Sequence, residues 1–131
     1  MRRALLAATT LALLAGLGCG GEPPTTGPEA GSFTVAYGGP STTDGAVLVL
    51  ITGGPVESVS PLGGYQLASG PAGTNATRVV VTGSLTAGDV FTIRVPDVAA
   101  LGSYVARVEA AADRNTFALA DPASYTAGLR R

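Results

Sequence analysis

The sequence predicts an all-β protein: a single antiparallel, immunoglobulin-like β-sandwich of about eight strands. Three observations point there. From Ser32 onward apolar residues alternate with polar ones instead of recurring at helical spacing. Clusters of Gly, Pro, Asn and Asp interrupt the apolar runs at intervals of about ten residues. No stretch from 32 to 131 carries a sustained helical pattern. A body of roughly one hundred residues can bury such a core without disulfides.

Phe33, Val35 and Tyr37 fall on one face of a first strand, which Gly38-Gly39-Pro40 ends. Ala46 to Thr52 is a continuous apolar run rich in branched residues, between Asp44-Gly45 and Gly53-Gly54-Pro55. That length suits a central strand better than a helix. Val56–Ser60 and Tyr65–Ser69 predict short strands, and Gly70-Pro71-Ala72-Gly73 a loop. Thr77–Thr82 and Val90–Val95 predict strong strands, with Val79, Val81, Phe91, Ile93 and Val95 facing in. Pro96 to Gly102 suits one helical turn crossing between sheets. Tyr104, Ala106 and Val108 alternate with Val105, Arg107 and Glu109 in a further strand. Phe117–Leu119 and Tyr125–Leu129, split by Asp121-Pro122, are candidate final strands. The expected core is Phe33, Leu48, Leu50, Val79, Val81, Phe91, Ile93, Tyr104, Ala106 and Val108.

Two segments precede this body. Met1-Arg2-Arg3 is a positive start, and Ala4 to Leu17 is an apolar run of signal-sequence length, too short for a transmembrane helix. With Gly16-Leu17-Gly18-Cys19, the segment resembles a bacterial lipoprotein signal peptide. The resemblance implies removal of 1–18 and lipidation of Cys19, so that the membrane is a partner through an acyl anchor. Gly16 stands where such signals usually carry Leu. A plain secretory cut before Cys19 and an uncleaved anchor are the alternatives. Gly20 follows where Asp would be the familiar inner-membrane retention signal, so the resemblance points to the outer membrane. Residues 19–31 then form a Pro/Gly-rich tether, GGEPPTTGPEAG after Cys19, that cannot bury enough surface to fold. At about 3.1 Å per residue it reaches roughly 35 Å. The sandwich occupies 32–131.

Val79 to Leu85, Val90 to Pro96 and Gly102 to Val108 together resemble the cohesin-like and carbohydrate-binding-type β-sandwiches of bacterial surface proteins. The likeness covers about 30 residues and implies a fold, not a partner. The whole chain also resembles the small exported lipoproteins of bacteria.

Composition narrows the chemistry. There is no His, so the usual imidazole base and the commonest metal ligand are absent. All 8 basic residues are Arg, which excludes a P-loop, a Schiff base and a Ser-Lys dyad. The single Cys excludes an internal disulfide and a zinc cluster. Loss of Arg2 and Arg3 leaves six Arg against nine acids, with no basic stripe for nucleic acid. Gly16 to Gly21 formally satisfies GxGxxG but lies in the export signal. Ser84 has no base to activate it.

Carboxylates alone remain for acid–base work: Glu57, Asp89, Asp97, Glu109, Asp113 and Asp121 are the candidates for a hydrolytic pair. Most sit in turns or on strand surfaces, where such residues shape local hydrogen bonds. Asp113-Arg114-Asn115-Thr116 offers two oxygen ligands for calcium, with Asp44 or Asp97 to add another, but the EF-hand position is Ser124. Asn75-Ala76-Thr77 matches a glycosylation sequon without a bacterial meaning. Tyr37, Tyr65 and Tyr125, if exposed, are the candidates for stacking on sugar rings. No catalytic residue, metal site or cofactor is expected. The sequence therefore points to a noncatalytic, lipid-anchored domain of the cell envelope that contacts another envelope protein or a glycan. An edge strand available for β-augmentation or homodimerisation is part of that expectation. The alternatives are a carbohydrate or small-ligand module and a carboxylate-only hydrolase.

Overall fold

The computed structural model describes residues 27–131; the expected signal segment 1–18, Cys19 and the expected tether up to residue 26 lie outside the described residues. Nine strands form two antiparallel sheets packed face to face. In chain order they are β1 (Gly31–Gly38), β2 (Asp44–Thr52), β3 (Ser58–Pro61), β4 (Gln66–Gly73), β5 (Ala76–Thr82), β6 (Gly88–Val95), β7 (Val105–Asp113), β8 (Leu119–Ala120) and β9 (Thr126–Arg130). The four-stranded sheet runs β3-β6-β1-β9 and the five-stranded sheet β4-β5-β2-β7-β8.

Inward-facing alternation explains the core. Phe33, Val35 and Tyr37 on β1, Val79 and Val81 on β5, and Phe91, Ile93 and Val95 on β6 are all buried. The phase of β2 differs from expectation. Val47, Val49 and Ile51 face the core, whereas Leu48 and Leu50 lie on the outer face. An unbroken apolar run carries no alternation to set its phase, so only the opposing sheet decides it. Leu85, Val90, Val98, Ala111 and Tyr125 complete the core beyond the expected set.

Gly70 to Gly73, expected as a loop, belongs to β4. This is an edge strand, where Pro71 need not donate to a second neighbour. Pro61 sits likewise on the edge strand β3. The β4–β5 turn instead falls at Thr74-Asn75, with Asn75 left-handed at φ 53°. A 3-10 turn at Val98–Ser103 carries the chain from one sheet to the other, capped by Asp97, which accepts from Ala99 N at 3.0 Å. A second at Pro122–Ser124 is capped by Asp121. The body also begins earlier than residue 32: the Glu29 carbonyl accepts from Val98 N at 2.8 Å, and Gly31 pairs with Val95.

The sandwich thus has two distinct ends. At the entry end lie Glu29, Gly31, the first 3-10 turn, the close of β2 and the start of β7, where Tyr104 packs edge-on against Phe33 at 5.5 Å. At the far end lie the close of β1, the starts of β2 and β9, and the β7–β8 loop.

Candidate functional site

The expected aromatic platform does not exist as such. Tyr37 and Tyr125 are 4% and 6% exposed, with their rings in the core, so neither offers a face to a sugar. Alternation along β1 turns Tyr37 inward with Phe33 and Val35. The Tyr125 ring lies across Gly39, where a Cβ would collide with it. Between the two tyrosines sits Asp44, at 1% exposure the sole buried polar or charged residue among the described residues. Tyr125 Oη donates to Asp44 Oδ1 at 2.8 Å. Asp44 Oδ2 and Tyr37 Oη have no hydrogen-bond partner among the described residues. Burial, then the charge of Asp44, raises the Tyr37 phenol far above its ordinary range. Burial and the Asp44 hydrogen bond push Tyr125 up to about 12. The cluster locks β1, β2 and the approach to β9 together; at that depth no substrate reaches it.

Tyr65 is half-buried and serves a loop. Its hydroxyl lies 3.2 Å from Thr86 Oγ1 and accepts from Thr86 N at 3.3 Å. Its ring packs over Gly83, whose φ of 143° suits only glycine. Tyr104, also half of an aromatic pair, donates to the Pro55 carbonyl at 2.7 Å. The three tyrosines proposed from sequence therefore share no surface.

The acids are dispersed in their engagements. Glu57 pairs with Arg94 at 3.5 Å, Asp89 with Arg130, and Asp97 and Asp121 cap 3-10 turns. Asp44 and Asp113 are opposite each other in the β2–β7 register, but their carboxyl groups are bonded to Tyr125 and Thr43 respectively. Asp113 Oδ2 accepts from Thr43 Oγ1, and Oδ1 accepts from Asn115 N at 2.7 Å and Thr116 N at 3.0 Å. These donors, Thr43 foremost, hold Asp113 down at about 2. The Asp113 oxygens, candidate calcium ligands of the 113–116 segment, are therefore engaged in the internal bonds of a turn. Among the described residues no three Asp, Glu, Cys or His side chains gather as a metal site.

What sequence reasoning missed is the outer face of the five-stranded sheet. Its residues fall into cross-strand rows. Arg78, Leu50 and Arg107 form one, on β5, β2 and β7. Val80, Leu48 and Ala110 form the next; Thr82, Ala46 and Ala112 the third, with Leu119 of β8 alongside. A bulge between Leu48 and Val49 leaves Glu109 outside the pairing. Glu109 accepts from Arg78 Nε at 2.8 Å, across β2, and lies 3.6 Å from Arg107. These exposed ion pairs contribute little by themselves. Their effect is cover: the arginine stems shield Leu50 to 7% exposure on an outward face. The other two rows have no such cover.

Next to them the β7–β8 loop presents Phe117, 80% exposed and left-handed at φ 58°. The loop is tightly bonded: Phe117 N donates to Asp113 O at 2.9 Å, Asp113 N to Ala118 O at 3.0 Å, and Arg114 N to Thr43 O at 2.9 Å. Gly45 lets that loop approach β2, since a Cβ there would stand 2.7 Å from Arg114 Cα. The result is a concavity of about 470 Å³ with a largely apolar lining, including Ala46, Gly83, Ala112, Arg114 and Phe117. A shallower apolar recess lined by Leu48, Val80, Ala110 and Leu119 adjoins it through Ala46 and Ala112. No protein-family model, curated protein or solved structure matches the chain.

Proposed function

We propose that this is a noncatalytic, lipid-anchored domain of the bacterial cell envelope that works by contact. In this reading Cys19 carries the acyl anchor, the residues from 20 up to Glu29 supply reach, and the sandwich presents its surface to another envelope component. The observation that supports it best is the polarity of the fold. The chain enters the sandwich at Glu29 and Gly31, while the exposed apolar residues Phe117 and Leu119 stand at the other end. A strand the length of β2 spans about 30 Å, so an anchored domain holds this end away from the membrane. The cohesin-like, immunoglobulin-like kinship belongs to the same proposal; it is supported by two packed antiparallel sheets, the architecture it implies. The outer membrane as address, with export as its precondition, is likewise part of it.

A second reading, a small-ligand or carbohydrate module, draws on the concavity of about 470 Å³, a size typical of ligand pockets. There the aromatic partner is Phe117, not a tyrosine. The experiment that tests the leading reading is metabolic labelling with palmitate and membrane fractionation of the full chain beside Cys19→Ala. Labelled, membrane-bound protein that becomes unlabelled and soluble in the variant is the expected result. An unlabelled wild type recovered from cytosol overturns it.

A further inference from the structure

The outer face of the five-stranded sheet changes character along its strands. Near the entry end Arg78, Arg107 and Glu109 close over Leu50. Toward the far end exposed Val80 adjoins half-buried Leu48, Ala110, Ala46 and Ala112, with Leu119 at 79% and Phe117 at 80% exposure beside them. Single exposed apolar side chains need no explanation, but adjoining rows of them do. We propose that this apolar half is the docking face for another envelope protein, whose contacting segment carries apolar side chains and one Asp or Glu carboxylate that pairs with Arg114. The inference rests on the contact-domain reading and names its surface and the chemistry of its partner.

Three features select this occupant. The first is charge. Arg78, Arg94, Arg107 and Arg130 each have an acid within reach, whereas Arg114, on the rim of the concavity, has no ion pair among the described residues. Its backbone is fixed by Thr43, so a cation stands ready beside an apolar recess. Asp113, its neighbour, is saturated by Thr43, Asn115 and Thr116 and does not answer that charge.

The second feature is shape. The rows are open to solvent along their length, so a small molecule lying there would keep much of its surface in water. Ligand pockets bury most of the ligand. A protein brings its own surface to close the trough, and aromatic and Arg anchors amid small residues are what such contacts use. The third is the absence of a match in the chain itself. Of the acids on β5, β2 and β7, Asp44 is buried on Tyr125, Glu109 is paired with Arg78 and Arg107, and Asp113 is held by Thr43 and its own turn. A second copy docked face to face through these strands therefore brings no free carboxylate from them to Arg114. Phe117 gives a further reason to read this loop as functional: a bulky side chain in a left-handed conformation is costly, and here it serves exposure, not burial.

The test places the photo-crosslinker p-benzoyl-phenylalanine at Leu119 of the full chain in cells, and, as a control, at Thr74 in the β4–β5 turn. Expected is a discrete adduct from position 119 to a different protein, with the captured peptide apolar and containing Asp or Glu. Arg114→Glu should lower its yield about tenfold, the scale of one charge-assisted hydrogen bond, while Arg114→Lys keeps most of it. Both substitutions are at an exposed position, and an unchanged melting temperature verifies their folding. An adduct to a second copy or to lipid, or one indifferent to Arg114→Glu, overturns the proposal. Adducts from Thr74 alone overturn this face and leave the contact-domain reading standing; none from either position overturns both.

Discussion

Asp44 has two buried oxygens and one hydroxyl donor, Tyr125, to serve them. Removing that donor leaves a carboxyl group at 1% exposure without its partner. Tyr125→Phe should therefore cost about 2 kcal/mol of stability by urea denaturation. In an Asp44→Ala background the same change should cost much less, and equal costs in both backgrounds would show that the bond contributes nothing. Asp113 makes a pH statement. Its folded value is depressed to about 2, from an ordinary value of about 4. The stability it contributes is complete above the unfolded value and disappears as pH falls toward the folded one. The gap in melting temperature between the protein and Asp113→Ala should accordingly hold at neutral pH and narrow between about pH 4 and pH 2. A gap that stays constant across that window would assign the effect to lost turn geometry alone.

At the level of elements, β2 decides how the sheet is read. Ile51 is fully buried against the opposite sheet, while Leu48 is half-exposed on the outer face. Ile51→Ala should cost about 3 kcal/mol, and Leu48→Ala well under half of that, in equilibrium unfolding. The reverse order would put β2 in the other phase. The same strand marks the boundary of what the sequence disclosed. Where polar residues alternate with apolar ones, as in β1, β5 and β6, the buried face was legible directly. Where every position is apolar, nothing local distinguishes inside from outside. β4 was hidden for a different reason, since Gly70 and Pro71 speak for a loop unless the strand is known to be an edge. The tyrosines failed as site markers because stacking needs exposure, and alternation already turned Tyr37 inward. Tyr125 was settled by Gly39, a contact that no local pattern announces. The trough could be found only once the rows were assembled, because it draws Leu48, Val80 and Ala112 from three strands.

At the scale of the whole molecule, the sheets are stitched by strands far apart in the chain. β1 lies between β6 and β9, so Phe33 and Val35 find their neighbours some sixty residues downstream, and Val35 pairs also with Leu129. Two of the four edge strands, β3 and β4, carry Pro61 and Pro71, which blunt them against pairing with other chains. Deleting residues 126–131 removes β9 whole and uncovers β1. Such a truncation should lose its cooperative melting transition by circular dichroism; a sharp transition would show that the sandwich closes without its last strand. The central position of β1 has a consequence in time. Distant pairings form slowly because the intervening loops must close first. β1, the first strand of the described residues, is flanked on both sides only once β9 has been made. The four-stranded sheet therefore closes late, its final partner supplied by the last strand of the described residues.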